Sequence, residues 1–100
     1  MSKPMDDKAG IRQVIRALRK EGYVLTGGHN GEEDVMFYTD ESEDKIIAEM
    51  TACDSSTLHT VKDGEESFVY FVLGNDPEEV VCDHGVSLSA VLDPLLAGWD

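Results

Sequence analysis

The chain is poor in cysteine, poor in cations and without a long apolar run. Only Cys53 and Cys82 occur among its 100 residues, too few to staple a small secreted fold, and a reducing compartment keeps such residues as thiols. A disulfide between them stays open in principle, because sequence does not give the Cα separation the bond requires. The longest uninterrupted apolar stretch, Phe68 to Leu73, is far short of the roughly 20 residues a membrane span needs. The opening MSKPMDDKAG lacks the apolar core of a signal peptide. These absences predict a cytoplasmic protein that does not enter a membrane. Also absent are G-x-G-x-x-G, a Walker A loop and H-E-x-x-H. Nothing in the sequence requires an enzyme, and no cofactor is expected.

What is present is ordinary globular material with an unusual charge layout. Hydrophobic residues make up 41% and charged residues 29%, a balance that supports one self-folding domain over residues 1–100, with 1–6 as a loose tail. The formal charge is −13. Residues 1–20 carry six of the eight Lys and Arg against Asp6 and Asp7, whereas the remaining eighty residues hold only Lys45 and Lys62 among nineteen acids. Such a surface repels nucleic acid and membrane phosphate and steers the molecule toward basic protein surfaces, although acidity also serves solubility alone. Lys8, Arg12, Arg16 and Arg19 line one helical stripe. With acids filling the rest of the chain, that stripe is expected to pair internally or stay solvated rather than bind a polyanion.

Periodicity supplies the elements. Ile11, Val14, Ile15 and Leu18 recur at i, i+3, i+4 and i+7, which predicts a helix over 7–21 with Asp6 or Asp7 as its cap and Gly22 beyond its end. A hairpin follows, its strands near 23–26 and 35–39 and Asn30-Gly31 as a type I′ turn. A second helix is expected from an Asp40 cap, with Glu43 completing a capping box and Ile46, Ile47 and Met50 buried. A second hairpin turns at Asp63-Gly64, and a third strand lies in EEVVCDHG. Leu88, Val91, Leu92, Leu95, Leu96 and Trp99 then give a closing helix, capped by Ser87 or Ser89. Pro94 requires that helix either to have just begun or to restart there. The order α-β-β-α-β-β-β-α predicts an α+β fold, an antiparallel sheet of about five strands with helices on one face. NGEEDVMFY at 30–38 and DGEESFVYF at 63–71 resemble each other, as shared hairpin grammar of turn, charged strand start and aromatic run produces without duplication.

Cys82-Asp83-His84 holds residue types that also build nucleophilic and metal sites. In a regular strand Cys82 and His84 share one face and Asp83 points away, so the three cannot converge as nucleophile, base and orienter. Cys53 and His59 are the companions for a zinc site, but the close ligand pairs of structural zinc are missing. The expectation is therefore no metal, a buried Cys82 packed as a small hydrophobe, and an exposed or capping His84. His29 is expected in a solvated loop. The acid pairs at 32–33, 65–66 and 78–79 are read as solvated protection of strand edges.

The segment TLHTVKDGEESFVYFVLGNDPEEVVCDHGVSLSAVLDPLL, residues 57–96, resembles small bacteriophage- and prophage-encoded proteins. Its features are an apolar strand, Gly-Asn, an acidic turn, a Val-Val-x-Asp strand and a short Leu-rich helix. Those proteins have no assigned activity, so the resemblance implies a genomic setting and no site residue. Within it the expected function is an acidic interaction protein docking on a basic surface of a host or phage protein. Glu32, Glu33 and Asp34 are expected to form the contact with Glu65 and Glu66, because neighbouring turns of one sheet can lie on the same edge. The alternative is a homo-oligomeric accessory or assembly protein, such as a homodimer, with Trp99 as its interface anchor. An enzyme or a zinc protein ranks behind both.

Overall fold

The computed structural model describes residues 3–99. Helix α1 spans Asp7–Lys20 and is started by Asp6, whose carboxylate accepts the Ala9 amide at 2.7 Å. At its other end the Tyr23 amide donates to the Leu18 carbonyl and the Gly22 amide to the Arg19 carbonyl, both at 3.0 Å. This paired closure satisfies carbonyls that the helix itself leaves open. Then come β1 (Val24–His29), β2 (Asp34–Met36), α2 (Glu43–Met50), β3 (Ser55–Lys62) and β4 (Glu65–Val72). A 3₁₀ turn at Pro77–Glu79, β5 (Val81–His84), a second 3₁₀ turn at Val86–Leu88 and α3 (Ser89–Ala97) complete the chain.

All strand pairs are antiparallel, in the order β2-β1-β3-β4-β5. The fold is α+β, in the predicted element order. Alternation along β3 and β4 sorts the two faces: Ser56, Leu58, Thr60, Val69 and Phe71 are buried, while Thr57, His59, Glu66 and Phe68 are not. The buried set packs against Ile11, Val14, Ile15 and Leu18 of α1, Ile46, Ile47 and Met50 of α2, and Leu92 and Leu95 of α3. The helices therefore occupy one face and leave the other open.

Local detail departs from expectation where distant contacts intervene. Asp63 and Gly64 both take positive φ (53° and 80°), as a type I′ turn requires, but Asn30 does not. Residues 30–33 instead close a wider loop, with the Asn30 amide donating to the Glu33 carbonyl at 3.0 Å. The Asn30 side-chain oxygen accepts the amides of Glu32 and Glu33, and its nitrogen donates to Glu49 of α2. Asn30 is buried by that contact, which holds the loop against a helix rather than in solvent. The cap of α2 is Ser42, whose hydroxyl accepts the Lys45 amide at 3.1 Å, not Asp40. Glu43 makes no capping box because Arg12 and Arg16 hold its carboxylate. Pro94 lies inside α3, with no restart. Neither Ser87 nor Ser89 caps that helix, which grows directly out of the preceding 3₁₀ turn.

Of the expected loose tail, Met1 and Ser2 lie outside the described residues. Pro4 is buried, and the Lys3 ammonium lies 3.8 Å from Glu78. Trp99 is also a correction. It is 0% exposed and its indole N–H donates to Gln13 at 3.0 Å, so it anchors the core and not an interface. Trp99→Ala is expected to cost about 3–5 kcal/mol, a large share of a typical domain's stability. Urea unfolding followed by circular dichroism measures it, and a loss below 1 kcal/mol would contradict this placement.

Candidate functional site

Cys82, Asp83 and His84 do not form a site. Phe71 pairs with Val81 and Tyr70 with Asp83, so Cys82 is the extra residue of a bulge. A bulge breaks strict alternation, and the expected buried Cys82 is in fact exposed. The His84 side chain is 15% exposed, its Nε2 lying 3.3 Å from Asp93 of α3 and its Nδ1 2.9 Å from the Gly85 carbonyl. This residue ties the edge strand to the closing helix. Cys53 lies in the turn after α2, where burial first and the nearby Glu32 carboxylate second push its thiol above its ordinary range. A thiol held protonated is a poor nucleophile and a poor metal ligand. Among the described residues, no three His, Cys, Asp or Glu side chains are grouped as metal ligands.

The basic stripe of α1 pairs internally. Arg12 reaches Glu43 at 2.8 Å and Asp44 at 2.7 Å, and Arg16 reaches Glu43 at 2.9 Å. Arg19 donates to the Glu41 carbonyl at 2.7 Å. These bonds pull Glu43 below the usual carboxylate range, Arg16 first and Arg12 next, against the opposing effect of burial. They raise Arg12 and Arg16. Apart from Lys62, every Lys and Arg lies between Lys3 and Lys45, in or beside α1 and α2. Lys62 closes β3, with its ammonium 5.1 Å from the centre of the Tyr23 ring.

The predicted interaction residues fall into two separate groups. His29 pairs with Asp34 and with Thr57 at the start of β3, whereas Glu65 pairs with Lys62 at its end. Glu32, Glu33 and Asp34 thus lie at one end of the sheet, with Glu65 and Glu66 at the other. Turns of successive hairpins share an end only when their first strands run the same way, and β1 and β3 are antiparallel. All five are exposed.

Between the two groups lies the uncovered face of the sheet, which the sequence reading did not single out. It carries Thr57, His59 and Val61 on β3 and Glu66, Phe68 and Tyr70 on β4, by the alternation that buries their neighbours. Met36, 84% exposed, continues it on β2. Asp34 joins it at the edge, 3.1 Å from His29, and Asp83 stands opposite Tyr70. No Lys or Arg occupies an open-face strand position among the described residues. Gly27, opposite His59, makes β1 bare at the middle of this surface, whereas Gly28, opposite the buried Leu58, belongs to the covered face. A Cβ on Gly27 would run into the Val35 carbonyl oxygen, and one on Gly28 into the Thr57 carbonyl oxygen. Two hollows lie here, of about 380 and 460 Å³, sharing Thr26, His59, Val61 and Glu66, and the glycines line the smaller. The strand expected over 23–26 runs on through Gly27 and Gly28 to His29, with a register shift between Leu25 and Gly27, and Gly-Gly within a strand marks a bulge or close backbone approach.

No known protein family, curated protein or solved structure matches this chain. No helix among the described residues is long and apolar enough to cross a membrane.

Two outcomes follow from this arrangement. Under native conditions a thiol reagent should label Cys82 rapidly and Cys53 slowly, and Cys82→Ser should change stability by less than about 0.5 kcal/mol. Equal labelling rates would contradict the burial of Cys53. Because Glu43 is depressed in the folded state, its contribution is present above the unfolded carboxylate pKa and disappears as pH falls through the lower folded value. Glu43→Gln should therefore cost about 1 kcal/mol at pH 7 and progressively less as the pH is lowered through and below the ordinary carboxylate range, read by denaturant unfolding across that range.

Proposed function

We infer that this protein is a small acidic interaction module that docks on a basic surface of a partner protein, in the phage or prophage setting implied by residues 57–96. One observation carries the reading: charge is separated by layer. The cations sit with the helices, where Arg12, Arg16 and Lys45 are already paired with acids. The strand positions of the open sheet face carry carboxylates and no Lys or Arg among the described residues, while Lys62 stands at one end of the sheet, opposite Glu65. A surface built for solubility alone scatters its charges, whereas a one-sided field speeds encounter with a partner of opposite sign.

The separation of the two acid groups is compatible with a single contact. The molecule measures 31 × 29 × 21 Å, and a standard interface covers about 800 Å² per partner, close to 28 Å across. One footprint on the open face therefore reaches Glu32 and Glu33 at one end and Glu65 and Glu66 at the other. Homo-oligomerisation has less support. Its anchor, Trp99, is in the core. The exposed edges β2 and β5 are only three and four residues long, and two like-charged faces repel.

The test is affinity capture from the native host, followed by association kinetics on the captured basic protein across a salt series. Association is expected to slow steeply with salt, because exposed charges are screened over about 10 Å at 0.1 M. The Glu32→Lys/Glu33→Lys and Glu65→Lys/Glu66→Lys pairs should each weaken capture, and the quadruple variant should abolish it with melting temperature nearly unchanged. Full-strength capture by the quadruple variant would overturn the reading.

A further inference from the structure

We propose that the trench on the open sheet face is the specific recognition site, and that it takes an extended, Lys- or Arg-bearing segment of the partner with two cations about 20 Å apart. This rests on the reading of the protein as an acidic docking module and names the place and the chemistry of the contact. The two hollows lie side by side, sharing Thr26, His59, Val61 and Glu66 among their lining residues, and Gly27 and Gly28 line the smaller of them. Their lining mixes apolar side chains, Met36 on one side and Val61 and Phe68 on the other, with Thr26, His59 and Ser67. A carboxylate stands toward each end, Asp34 on β2 and Glu66 on β4.

The register fixes the separation of those carboxylates. Asp34 aligns with Thr57 through His29, and Glu66 aligns with Val61. At about 3.3 Å per residue and 4.8 Å per strand, four residues along β3 and three strand spacings give a diagonal of about 20 Å. An extended chain covers that distance in about six residues, an even number that puts both cations on the same side. The residues between them on that side then face Met36, Val61 and Phe68, and apolar β-branched types suit those walls. Charge also selects the occupant: a second copy of this chain would bring carboxylates onto carboxylates, and nucleic acid would bring phosphates.

The probe is the capped heptapeptide RTVTVTR, whose arginines are six residues apart with two valines on the same side. It is titrated into the ¹⁵N-labelled protein, with ETVTVTE and RTVRTVT as controls. Shifts confined to β1, β3 and β4 around Gly27, His59, Val61 and Phe68 are expected, with binding at least fivefold weaker for either control. Asp34→Asn and Glu66→Gln should each weaken the peptide about threefold and together about tenfold. Both positions are exposed, and unchanged amide spectra elsewhere verify the fold. Equal binding of RTVTVTR and RTVRTVT, shifts confined to the helix layer, or no binding would overturn the trench assignment. If the basic partner is nonetheless captured in a salt-dependent way, the docking module stands without this site; if capture also fails, both fall.

Discussion

Leu25, Leu58, Val69 and Phe71 lie beneath three helices that cover only one side of a five-stranded sheet, and the rest of the molecule depends on that one-sided burial. It fixes which residues of each strand are core, because a shift of register by one would exchange the faces. It also puts α1 beside α2, where the arginines of one meet Glu43 and Asp44 of the other. The sheet's second face is left without a covering layer.

Charge follows from this geometry. A helix layer that contains nearly all the cations pairs a good part of them against its own acids, so the positive end of the sequence contributes little outward positive field. Surface pairs of this kind contribute modestly to stability, and they hold their cations in the helix layer, away from the carboxylates of the open face. The same residues that look like scattered acidity in the sequence become a one-sided field once the layers are assembled.

The open face is shaped as well as charged. The Gly27-Gly28 pair lets neighbouring carbonyls approach β1 closely, and Gly27 leaves the open face without a side chain at that point, while Met36, Val61 and Phe68 stand nearby. A flat acidic surface gives fast encounter but little discrimination. In the docking proposed above, a depression with carboxylates at a set separation adds a requirement of shape to that of charge.

The sequence by itself determined the class of the fold, the order of its elements, the apolar stripe of α1, a cap at Asp6 or Asp7 and the Asp63-Gly64 turn. Each of these is decided within about one helical turn or one hairpin, by periodicity, capping and the φ preferences of a few residues. The tertiary structure decided what depends on distant partners. Asn30 left the two-residue turn because Glu49 of α2 takes its side chain, and Glu43 left the capping box because Arg12 and Arg16 take its carboxylate. Cys82 turned outward because the β4–β5 register slips by one residue, and Trp99 turned inward to meet Gln13. The acids at 32–34 and 65–66 were separated by the antiparallel pairing of β1 with β3, a contact between segments about thirty residues apart that no local pattern encodes.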